Sequence, residues 1–141
     1  MRKIVISNFK DFLNESFNID EQLSKYEKYQ RLKDNKPIII YRGIHKSGKN
    51  FYQGDTKLPF TYYSLDEDKA RIYGDVHKFI FNEKSLPIKL FKGSDLFGKF
   101  GLVNIENKNV IDTLIAEGYS AILVKGNELI VLDESLVRII D

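Results

Sequence analysis

The chain has 141 residues, 43% hydrophobic and 30% charged, with 22 basic and 20 acidic side chains giving a net charge of +2. That size and balance suit one soluble domain with its own core, and give little reason to expect salt-driven nucleic-acid binding. Cysteine is absent and histidine occurs only at His45 and His77, so disulfides, thiolate chemistry and the usual zinc sites are excluded. No apolar run approaches a membrane span, and Asn8, Lys10, Asp11 and Asn14 interrupt any signal-peptide core. A cytoplasmic protein without a metal is the expectation.

In chain order, Phe9, Phe12 and Leu13 alternate with polar residues and suggest a short amphipathic segment. Leu23, Tyr26, Tyr29 and Leu32 follow at near-helical spacing, with Asp20 as N-cap and Lys36-Pro37 beyond the end. The Glu and Lys positions of this helix read as its solvated face. After Pro37 the pattern turns to strands. Ile38–Tyr41 is a β-branched run stopping at Arg42-Gly43, and residues 44–57 read as a loop or weak hairpin. Phe60–Tyr63 is a second short strand. Ser64 and Glu67 have the spacing of a capping box, opening a helix that runs to about Tyr73 and stops at Gly74.

Val76–Phe81 and Ile88–Phe91 are further strands, parted by a turn around Pro87. Val110, Ile111, Leu114 and Ile115 mark an amphipathic helix over 108–117, closed by Gly118. A hairpin then joins Ala121–Lys125 to Glu128–Leu132 through Gly126-Asn127, and Leu136–Ile140 is the last strand. Short strands in mostly hairpin order, mixed with a few helices, indicate an α+β domain. We divide it into an N-terminal helical segment (1–36) and a core (37–141) within one compact domain.

Six residues carry the chemical interest. Arg42 shares a strand face with Ile38 and Ile40, so its guanidinium is expected at the core edge, where it suits phosphate. Gly43 permits close backbone approach. The rings of Tyr62 and Tyr73 suit a planar cationic ligand if the turn at Ser64 folds the helix back; the competing reading is two core aromatics. Ser64 is placed to bond a ligand or simply to cap. Glu128 shares a face with Ile130 and Leu132, where a carboxylate is costly unless paired or at a cleft edge. There it would suit an oxocarbenium-like transition state. Asp66, Asp133 and Glu134 read as turn and cap residues.

The order Arg…Tyr-x10-Tyr…Glu resembles the ADP-ribosyltransferase superfamily. "IIIYRG" is similar to its first-strand motif, "PFTYYSLDEDKARIYG" to its middle strand and helix ending in Tyr-Gly, and "EGYSAILVKGNELIVLDESLVRII" to its C-terminal hairpin. The resemblance implies a split β-sheet core with N-terminal helices and NAD as co-substrate, without a metal. It implies that Arg42 holds phosphate or ribose and the Gly43 backbone bonds the nicotinamide carboxamide. Tyr62 and Tyr73 would stack on nicotinamide, with Ser64 beside them, and Glu128 would be catalytic. ADP-ribose would pass to a macromolecular acceptor, expected to be a protein.

The chain departs from the family's patterns at two places. A first-strand arginine normally goes with Ser-Thr-Ser where this chain has Tyr62-Tyr63-Ser64, whereas paired tyrosines normally go with a first-strand histidine. Arginine-modifying members carry an acid or Gln two places before the glutamate, where this chain has Gly126. Three alternatives stay open: an NAD glycohydrolase, a catalytically silent binding module on the same scaffold, and an RNA-directed 2′-phosphotransferase. The last expects several basic residues at the phosphate, and only Arg42 and Arg71 are candidates. Residues 9–15 are also similar to the capsid-targeting peptides of some large tailed phages, with Leu13-Asn14-Glu15 as the cleavage triplet; the competing reading is a docking helix.

Overall fold

The computed structural model describes residues 23–44, 60–124 and 128–140. Helix α1 (Lys25–Lys33) precedes β1 (Ile38–Ile44), β2 (Thr61–Ser64) and the single-turn helix α2 (Glu67–Ala70), which continues as a 3-10 turn over Arg71–Tyr73. Strands β3 (Asp75–Phe81) and β4 (Leu90–Lys92) follow, then helices α3 (Leu96–Phe100) and α4 (Lys108–Ala116). The chain closes with β5 (Ala121–Val124), β6 (Glu128–Val131) and β7 (Val137–Ile139). The seven described strands join one sheet in the order β4-β5-β6-β2-β1-β3-β7. Among the described strands only the β4–β5 pair is parallel, so the sheet is mixed and the fold is α+β. No described helix is long and apolar enough to cross a membrane.

Pairing strength is uneven across the sheet. β1 pairs with β3 over seven positions, from Ile38↔Phe81 to Ile44↔Asp75, and β2 pairs with β6 over all four of its residues. Between β1 and β2 the described ladder holds one pair, Tyr41↔Ser64. The sheet is therefore two well-paired halves joined, in the described ladder, by the single Tyr41↔Ser64 pair.

Burial follows the same division. One face carries a continuous core in which Ile38, Ile40 and Phe81 from one half pack with Tyr63, Leu129 and Val131 from the other, under Leu32 of α1. On the opposite face the apolar side chains fall into two separate clusters. Ile39, Tyr41 and Ile80 pack with Ala70 of α2, while Phe60, Ile122 and Ile130 pack with Phe91 and with Val110, Ile111 and Leu114 of α4.

Helix α1 starts later than its apolar spacing suggests. Ser24 is the N-cap and forms a capping box with Glu27, each side chain bonding the other's backbone N–H. Asp20 lies outside the described residues, as do the 8–15 segment, the Leu13-Asn14-Glu15 triplet, the loop beyond Ile44 and the Gly126-Asn127 turn. The buried side of α1 is Lys28 and Leu32, one turn apart, whereas Tyr26 is 70% exposed. The reading of its lysines as uniformly solvated is thus corrected at Lys28. This ammonium is 2% exposed, donates to the carbonyls of Ile39 (3.0 Å) and Leu65 (3.1 Å), and lies 4.8 Å from the Tyr41 ring. Those carbonyls belong to the two chain segments flanking the split, so Lys28 bridges the halves beside their single ladder pair.

Elsewhere the differences are local. Asn107 caps α4 by accepting from the N–H groups of Asn109 and Val110, and Gly118 ends it at φ 86°. Ile115 is 41% exposed rather than in the core. The strand expected from Ile88 begins at Leu90, and α3, in a Phe- and Gly-containing stretch without periodicity, had no counterpart in the sequence reading.

Candidate functional site

Cross-strand partners in a ladder point to the same side of a sheet. Tyr41 stands opposite Ser64, and Ser64 stands opposite Glu128. Tyr62 stands opposite Ile130 on that same side. Tyr62, Ser64 and Glu128 therefore share the face on which the apolar packing is interrupted. Glu128 opens β6 as a half-buried residue and Ser64 is 8% exposed. They supply polar groups at the point of the sheet that joins the two clusters.

The element carrying Tyr73 covers this face. Ala70, three residues before it, packs on Ile39 and Tyr41, and Gly43 explains how it comes so close. A Cβ at Gly43 would stand 2.0 Å from the Ala70 carbonyl oxygen and 3.1 Å from the Gly74 nitrogen. The close approach that this glycine permits is thus made by the chain's own α2 backbone. The half-buried Tyr73 closes the 3-10 turn, and Gly74 at φ 137° redirects the chain into β3.

The helix start differs from the expected capping box. Asp66 is the N-cap, accepting from the Asp68 N–H at 2.9 Å. Ser64 instead closes a turn of its own, its hydroxyl accepting from the Asp66 N–H (3.0 Å) and donating to the Asp66 carbonyl (2.7 Å). Glu67 does not reach back, because it pairs with Arg71 one helical turn on at 3.2 Å, an ion pair that Asp68 shares. With both acids on it, Arg71 is committed to its own helix.

Arg42 lies elsewhere. It alternates with Tyr41, so it projects on the continuous-core face with Ile40, as expected, and away from Glu128. There it meets the hydroxyl of Tyr63, which in turn donates to Glu134 at 3.1 Å. Among the described residues, Arg42 Nε is buried with no hydrogen-bond partner. Burial first, and then Glu134, push the Tyr63 hydroxyl well above the ordinary phenol range, while Arg42 pulls it back. Glu134 therefore does more than turn a corner, whereas Asp66 and Asp133 do serve as caps. His77 stands opposite Arg42 on β3, and His45 lies outside the described residues.

Tyr62 is only half-buried. Its ring packs edge-on against Phe60 with centroids 5.6 Å apart. Its hydroxyl donates to Glu106 Oε2 at 2.6 Å, a contact across 44 positions that nothing in the sequence marks. Asn104 Oδ1 accepts from the Glu106 N–H and fixes the backbone just ahead of α4.

The face so built carries a half-buried phenol ring and a half-buried carboxylate between two apolar clusters, with the Ser64 hydroxyl engaged at Asp66. Such a set suits a planar, hydroxyl-bearing ligand. Among the described residues no group of three His, Asp or Glu could hold a metal ion. Compared with family models, with curated proteins and with solved structures, the chain gives no match in any of the three.

Proposed function

We propose that the chain is an NAD-dependent mono-ADP-ribosyltransferase acting on a macromolecular acceptor, expected to be a protein. The observation that carries this reading is the Ser64↔Glu128 pair on the interrupted face, with Tyr62 two residue pairs along on that face and the Tyr73 segment laid over the same side. The single Tyr41↔Ser64 junction between two paired half-sheets also supports the split core that the sequence resemblance implies.

In this reading nicotinamide lies against Tyr62 and Tyr73, and the Glu128 carboxylate accepts from a hydroxyl of the nicotinamide ribose. The bond between ribose C1′ and the pyridinium nitrogen breaks, its electron pair leaving with the ring as neutral nicotinamide. Glu128 stabilises the cationic ribose that develops. The acceptor attacks C1′ and gives up its proton to solvent. Arg42 was expected on the phosphates. Arg42 lies on the opposite face with Tyr63 and Glu134, so the reading rests on Glu128 and the tyrosines.

Incubation with NAD labelled in the adenylate and a cell lysate tests this. Label on macromolecules supports transfer. Free ADP-ribose alone makes water the acceptor and the protein an NAD glycohydrolase. No loss of NAD under either condition returns the chain to the class of silent binding modules.

A further inference from the structure

The Tyr62–Glu106 contact places a carboxylate on the phenol of a ring that projects from the same sheet face as Glu128. Glu106 is exposed and lies outside the motifs that carry the family resemblance. Its 2.6 Å separation from the phenol oxygen is that of a charge-assisted hydrogen bond. A carboxylate accepting the phenol proton draws that proton off the oxygen and returns electron density to the ring. The ring face becomes more negative, and its attraction for a cation stacked on it grows.

We propose that Glu106 is a positioning and specificity residue that tunes Tyr62 to prefer the positively charged nicotinamide ring of NAD over neutral rings. The inference rests on the transferase reading and deepens it. The preference has a direction along the reaction. The pyridinium is cationic before the glycosidic bond breaks and neutral afterwards, so the tuned ring holds substrate more firmly than released nicotinamide. For the same reason it discriminates against the reduced dinucleotide, whose dihydropyridine ring is neutral and otherwise closely similar. Asn104 supports the arrangement by holding the Glu106 backbone ahead of the α4 N-cap.

The test compares Glu106→Gln, Glu106→Ala and Tyr62→Phe with wild type in equilibrium binding of NAD and of NADH by the full chain. Gln keeps an acceptor for the phenol but removes the charge, so a merely structural role would survive it. The inference expects Glu106→Gln to weaken NAD roughly threefold to tenfold while leaving NADH within a factor of about two. Glu106→Ala and Tyr62→Phe should show the same narrowed ratio. An unchanged NAD-to-NADH ratio in Glu106→Gln overturns it. If Glu128→Gln nevertheless stops turnover, the transferase reading stands without it. A wild type that binds neither dinucleotide overturns both. Because Glu106 is exposed, its variants should keep the wild-type melting temperature, and a large loss would overturn the tuning role in favour of a structural one.

Discussion

Ser64 and Glu128 face each other across the β2–β6 ladder, two residue pairs from Tyr62–Ile130 on the same face and beside the one described ladder pair between β1 and β2. That relationship puts a carboxylate where the sheet's two halves meet, on the side where its apolar packing is broken. The serine closes its own turn at Asp66, leaving the carboxylate as the group available for chemistry.

Tyr62 and Tyr63 are neighbours in sequence with opposite duties. Tyr62→Ala should raise the Kd for NAD roughly tenfold through the lost ring contact. Tyr63→Phe removes the hydroxyl between Arg42 and Glu134 and should lower stability by about 1 kcal/mol. It should leave NAD affinity within a factor of about two. Isothermal titration and denaturant unfolding of both variants separate the two faces. Equal effects on binding would contradict the register.

Lys28 bridges the two halves beside the Tyr41↔Ser64 pair. Lys28→Ala leaves two carbonyls without their buried donor and opens a cavity, and should cost about 2–4 kcal/mol. Urea unfolding measures this. A change below about 0.5 kcal/mol would show that the halves do not depend on the bridge.

Alkaline stability follows from Tyr63. Its hydroxyl is held above its ordinary value near 10 in the folded chain. The folded state therefore keeps a proton that the unfolded state gives up, and the contribution is complete below pH about 10. It is lost as pH rises from there towards the folded value, at up to about 1.4 kcal/mol per pH unit. Tyr63→Phe should show a shallower fall above pH 10 in unfolding free energy measured along a pH series. Parallel curves would contradict the buried-phenol assignment.

Much of this was readable in the sequence, for physical reasons that differ by element. The Ile38–Tyr41 run, the Val110–Leu114 spacing and the 121–132 hairpin each carry a strong period, and each appears within a few residues of its expected bounds. Strand alternation likewise put Glu128 with Ile130, and Arg42 with Ile40. The relation between those two faces was not readable, because it depends on the Tyr41↔Ser64 register, which pairs positions 23 residues apart in sequence. Lys28 was misread because a lysine's stem looks the same at a solvated position and beneath two carbonyls. Glu106 lies in a stretch without periodicity, and its partner is 44 positions away. Ser64 and Glu67 matched a capping box in spacing, but Asp66 and Arg71 compete for the same roles and win by being nearer or better placed.

The most direct measurement is nicotinamide release from NAD by the purified wild type beside Glu128→Gln. Removal of a single transition-state-stabilising group typically lowers turnover about 10²- to 10³-fold. The expected result is a loss of that size with melting temperature and NAD affinity little changed. Equal rates in the two proteins, or no nicotinamide from wild type, would contradict the assignment of Glu128 as the catalytic carboxylate.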